Sequence, residues 1–153
     1  MNKKPLFLFP LLVSLAVSLS LGIIWGKAIA RDQEKLKKEM VKESSREFNM
    51  LYAMIYAARA DGQISPNKDA AIMSIFQRMG YSEQILSQIK RALTALSNHP
   101  MDIHVVIQQY KDVSDKNQCL ALFQCVTLVA LADGFLSPET KNALQTIHDE
   151  LGL

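Results

Sequence analysis

Residues 58–66 read Ala58-Arg59-Ala60-Asp61-Gly62-Gln63-Ile64-Ser65-Pro66, and residues 130–138 read Ala130-Leu131-Ala132-Asp133-Gly134-Phe135-Leu136-Ser137-Pro138. The offset between them is 72 residues, and it holds further out. Ala71 falls on Ala143, Ile75 on Ile147, Gly80 on Gly152, and Leu51 on Phe123. Each half therefore reads as an apolar helix, Ala-Asp-Gly, one residue, Ile or Leu, Ser-Pro, then an amphipathic helix ending in Gly. This is a helix–turn–helix unit used twice.

The turn has a mechanical reading. Gly62 and Gly134 are placed for the left-handed residue just past a helix end. Ser65 and Ser137 are placed to cap the next helix, with Pro66 and Pro138 as its first residues. Ile64 and Leu136 precede the caps and can staple onto the following helix. Asp61 and Asp133 are the odd members. A carboxylate beside a helix C-terminus opposes the helix dipole. Either it accepts backbone N–H groups in the turn or it meets a cation.

The cation option is tested against the EF-hand loop, in which Asp at position 5 and Gly at 6 resemble this turn. Position 1 would be Ala57 or Val129, position 3 Arg59 or Leu131, and position 12 Lys68 or Thr140. None of these supplies an acidic ligand, so an EF-hand is excluded. A looser site for Ca²⁺ or another divalent cation, using Asp61, Asp133 and Glu139, requires the two turns to approach each other. Turn capping is the favoured role of the aspartates, because Asp commonly bonds local backbone in turns.

Outward from the turns, helical periodicity dominates. Ile72, Ile75, Phe76 and Met79 form one stripe, and Ile85, Ile89, Ala92, Leu93 and Leu96 another. Ile103, Val106 and Tyr110 form a third, and Ala143, Leu144, Ile147 and Leu151 a fourth. Segments 48–58 and 119–132 are apolar nearly all round and are expected to be the buried pair of a helical bundle. Ser114 or Asp115 is expected to cap the second of them. No stretch alternates as a strand does. The expected class is all-α, with a compact bundle over residues 48–153 built from two related halves.

The chain has 153 residues, 17 Lys+Arg against 15 Asp+Glu, and two cysteines. A near-neutral balance argues against a nucleic-acid partner, and two cysteines exclude a disulfide scaffold. Residues 1–30 read as a transmembrane anchor. From Pro5 to Gly26 there is no charge, enough for a helix of roughly 33 Å. Trp25 stands at the interface depth. Ser14, Ser18, Gly22 and Gly26 make a small-residue face open to self-association, although simple anchoring in lipid through residues 5–26 is favoured. Ala28-Ile29-Ala30 has the form of a signal-peptidase site, which would release the chain near Ala30. The length of the apolar run favours an uncleaved anchor. Lys27, Arg31, Lys35, Lys37 and Lys38 outnumber Lys3 and Lys4, so the expectation is a single-pass protein of the inner membrane with its carboxyl side in the cytoplasm. The alternative is a periplasm-facing domain. Residues 31–47 read as a charged helical stalk, a solvated spacer rather than a headgroup-binding patch.

The search for chemistry is largely negative. His99, His104 and His148 are scattered, Cys119 and Cys125 are not a C-x-x-C pair, and there is no phosphate loop or nucleophile elbow. The methionines are expected in core or stalk.

The doubled Ala-Asp-Gly-x-(Ile/Leu)-Ser-Pro unit, each copy after a buried helix, resembles the tellurite-resistance TerB-like domain over about residues 45–153. That domain also stands behind an N-terminal membrane helix in DjlA-type co-chaperones. The resemblance implies an all-α fold of about seven helices with pseudo-twofold repeats, a divalent-metal or partner surface near the acidic turns, and a link to envelope or chemical stress. Its acidic positions fall on Asp61, Asp133 and Glu139. The sequence departs from it at Asn67, where the repeat would place a partner for Glu139. No J domain is expected, and His99-Pro100-Met101-Asp102 is not its His-Pro-Asp tripeptide. Two readings follow. The first is a membrane-tethered, non-enzymatic interaction module with an unidentified membrane or cytoplasmic protein partner. The second is a divalent-cation sensor or buffer. An enzyme is least favoured, because no acid–base or nucleophile constellation is visible.

Overall fold

The computed structural model describes residues 30–100 and 102–153. They form six helices: α1 Ala30–Ala58, α2 Pro66–Arg78, α3 Glu83–Leu96, α4 Ile103–Asp112, α5 Lys116–Ala130 and α6 Pro138–Leu151. No strand occurs among the described residues. No helix among them is long and apolar enough to cross a membrane. The expected anchor at 5–26 and the Ala28–Ala30 cleavage site lie outside the described side chains.

Each start is set by a short polar side chain closing on exposed N–H groups. Ser65 accepts from Lys68 N–H, Ser82 from Ile85 and Ser137 from Thr140. Asp102 accepts from His104 and Val105. Asp115, not Ser114, caps α5, in a full capping box with Gln118. Pro66 and Pro138 open α2 and α6. The repeat is thus visible in the backbone: α1 and α5 end 72 residues apart, and α2 and α6 begin with the same offset.

The stalk and the first core helix are one element. α1 runs unbroken for 29 residues, about 43 Å of rise. Its second half is the hub of the bundle, touching every other helix. Leu51, Ala53, Met54, Ile55, Ala57 and Ala58 have no exposed surface. The stripes read from the sequence close on them through Ile72, Phe76, Ile85, Ile89, Leu93, Ile107 and Ile147. The expectation that α5 would be buried all round is corrected. Leu122, Val126, Val129 and Ala130 are buried, but Leu120 is 47% exposed, Leu128 56% and Leu131 45%. Periodicity showed α5 to be apolar; it did not show that only one side would be covered.

Polar contacts tie the later helices to α1 and to one another. Arg46 Nη2 donates to Val113 O at 2.7 Å and Nε to the same oxygen at 3.2 Å. Lys111 Nζ donates to Glu150 O at 3.0 Å. Tyr110, nearly enclosed, donates its hydroxyl to Gln118 O at 2.9 Å. Burial pushes its phenol from 10.0 up to about 12. The neutral form is favoured by folding, so the stability it contributes is intact below pH 10.0 and is lost as pH rises toward about 12. Denaturation midpoints across that window are expected to fall more steeply for the wild type than for Tyr110→Phe. Parallel curves would assign the alkaline loss to other groups.

Candidate functional site

α1 and α5 run alongside each other in the same sense. Arg46 on α1 meets Val113 just before α5, and the far ends of both helices converge on the two acidic turns. The turns meet on one side chain, Lys68, in the first turn of α2. Its Nζ lies 3.0 and 3.1 Å from the two carboxylate oxygens of Asp61 and 3.2 Å from Ala58 O. Asp133 Oδ2 is 4.0 Å away. The Lys68 side chain is 3% exposed, while those of Asp61 and Asp133 are 24% and 19% exposed.

This arrangement answers the dipole problem. Ala58 O is one of the carbonyls left unpaired at the end of α1, and an ammonium beside it is favourable. The same ammonium neutralises Asp61, which would otherwise oppose that helix end. Asp133 has a second partner. Ser65 Oγ lies 2.8 Å from each of its carboxylate oxygens and donates to them, while accepting the Lys68 N–H at 3.2 Å. One cap serine thus starts α2 and fastens the opposite turn.

Pseudosymmetry ends at this cation. Thr140 stands in the second half where Lys68 stands in the first, fully buried, with Ser137 Oγ donating to its hydroxyl at 2.8 Å. One ammonium faces two carboxylates. The signal for Lys68 was present in the repeat, as a Lys aligned with a Thr, but the length and direction of a side chain across a turn are not legible in spacing.

Gly62 and Gly134 have φ +127° and +83°, as a turn glycine should. Their position differs from expectation. The helices stop at Ala58 and Ala130, and a further tight turn intervenes before each glycine. Gly62 N–H donates to Arg59 O at 3.0 Å and Gly134 N–H to Leu131 O at 2.8 Å. The glycines therefore end that turn rather than cap the helix directly.

The third candidate ligand, Glu139, is exposed in the first turn of α6. Asp61 and Asp133 are brought together, but around Lys68. Among the described residues no three His, Cys, Asp or Glu side chains are grouped as metal ligands. The donor set as arranged does not fit a divalent ion, since an ammonium holds the place between the carboxylates. The histidines are apart: His104 Nδ1 lies 2.6 Å from Glu150, and His148 stands edge-on to Phe123 with ring centroids 5.2 Å apart. Burial pushes the thiols of Cys119 and Cys125 up, which disfavours thiolate chemistry.

The comparison with known families decides what this frame is. Residues 47–153 match the family profile described as Tellurite resistance protein TerB. The chain belongs to the TerB family. The match begins within α1 and covers both turns and every later helix. Among curated proteins and among solved structures no match was found. The TerB domain here has six described helices against the expected seven or so.

Proposed function

We propose that the chain is a membrane-anchored interaction module of TerB type, without catalytic activity of its own, acting in an envelope or chemical-stress response. The observation that carries the reading is the TerB match over 47–153, on a domain whose acidic turns are spent on one another through Lys68. Those turns serve as a joint between halves, which leaves the outer helix faces to meet a partner. The uncharged run from Pro5 to Gly26 supplies the anchor, and tethering raises the effective concentration of the domain for membrane partners. The basic residues after that run favour a cytoplasmic domain at the inner membrane.

Alkaline extraction of membranes from cells expressing the full chain tests the anchor. The wild type is expected in the pellet, and a chain lacking residues 5–26 in the supernatant. Release of the wild type would overturn the anchored reading, as would a mature amino terminus near Arg31. In-cell photocrosslinking from exposed domain positions is expected to give discrete adducts with a membrane or cytoplasmic protein. Adducts to lipid alone would overturn the protein-partner reading.

A further inference from the structure

A cavity of about 250 Å³ lies between α1, α4 and α5, closed at one side by the end of α2. Three of its lining residues carry sulfur: Met50 on α1, Met79 at the C-cap of α2 and Cys125 on α5. No spacing in the sequence relates them, and only the fold brings them to one place. The repeat shows that packing alone does not require sulfur at these positions. At the offset of 72 residues Met50 falls on Leu122, Met79 on Leu151 and Cys125 on Ala53. All three counterparts are buried, and all three are hydrocarbon. The charged part of the lining is balanced, with one cation, Arg46, and one carboxylate, Glu47. The Arg46 guanidinium is spent on Val113 O, and the Tyr110 hydroxyl on Gln118 O.

We propose that Met50, Met79 and Cys125 bind one soft monovalent metal ion of the Cu(I) or Ag(I) kind in this cavity. Thioether and thiolate sulfurs select soft ions, whereas Ca²⁺ and Mg²⁺ take oxygen ligands. Methionine has three rotatable side-chain bonds, so two thioethers can turn onto a single ion while the helices stay in place. Binding displaces the Cys125 proton: the S–H bond breaks, the proton leaves to solvent and a metal–sulfur bond forms, with no change of oxidation state. Charge sets the valence. A +1 ion on one thiolate and two neutral thioethers adds no net charge to a wall where Arg46 and Glu47 already offset each other. A divalent ion on the same ligands would leave a positive charge in a largely enclosed place, which is costly. The site is separate from the joint at Lys68, and the inference does not depend on the interaction-module reading.

The test uses the full chain in nanodiscs, under ascorbate and without oxygen, with Cu(I) supplied as its coloured bicinchoninate complex. The chain is expected to withdraw one Cu(I) from the chelator above the blank of empty nanodiscs, and an equal concentration of Zn²⁺ should leave that amount unchanged. Cys125→Ala and, separately, Met50→Leu/Met79→Leu should each weaken the affinity at least about tenfold. Both nearly keep the volume of the side chains they replace, so the metal-free thermal midpoints should be retained. Cys119→Ser and Met73→Leu, at sulfurs outside the lining, should bind as the wild type does. X-ray absorption of the loaded chain is expected to show sulfur neighbours around copper. Wild-type affinity in the double methionine variant would reduce the site to a single thiol and overturn the proposal. So would a loss in Cys119→Ser as large as that in Cys125→Ala, displacement by Zn²⁺, or a shell of nitrogen and oxygen alone. None of these outcomes touches membrane extraction or crosslinking, so the broader reading stands or falls separately.

Discussion

Lys68→Met is expected to lower the unfolding free energy by about 3 kcal/mol, the scale for removing one partner of a buried ion pair. The methionine keeps most of the volume, so the loss is electrostatic rather than a cavity. Without the ammonium, Asp61 faces Ala58 O and the end of α1 unneutralised, and Asp133 stands close by with only Ser65 as partner. Both carboxylates keep some water access, which places the effect at the lower end of the range for fully enclosed pairs. Adding Asp61→Asn and Asp133→Asn should restore a large part of the loss, because the uncompensated charges are then gone. Urea denaturation of the four combinations measures this. A Lys68→Met loss below about 1 kcal/mol would mean that the pair contributes no more than an exposed one. In the same experiment, millimolar calcium is expected to leave the wild-type midpoint unchanged. A calcium-induced rise in the wild type, abolished by Asp61→Asn/Asp133→Asn, would show a cation displacing the ammonium and revive the sensor reading.

Phe76→Ala is expected to cost about 4 kcal/mol. Phe76 has no exposed surface and its ring lies 6.1 Å from that of Tyr81. It ends the buried stripe of α2, opposite a hub helix that cannot shift toward it without disturbing its contacts with the other helices. The space left by the ring is therefore expected to persist as a cavity. Phe76→Leu should cost less than half as much, because volume is largely kept. If both variants lose equally little, the region relaxes and the core is less rigid than its packing implies.

Local rules carried most of the architecture. The Ser-Pro starts and the apolar stripes depend only on neighbours within a turn or two, and they appear where the repeat placed them. The continuity of α1 through residues 30–58 was less visible, because its first half is charged and its second apolar, which reads as two segments although both favour helix. The joint was not legible. Asp61 and Asp133 were visible as side chains that either accept turn N–H groups, the favoured reading, or meet a cation, and only the fold places Lys68 Nζ between them. The open leucines of α5 were hidden for a related reason. Burial is decided by what packs on a helix, and the repeat accounts for α1, α2, α5 and α6 but not for α3 and α4, of which α4 packs on both α1 and α6.

Because the axis that enters at Ala30 is also the one against which every other helix rests, a pull or twist applied there is delivered to the centre of the molecule instead of its rim. Its opposite tip is clasped by Lys68 through Ala58 O. Load along that rod would reach the clasp directly, so tension at one end and the coupling of the two halves at the other are mechanically a single variable.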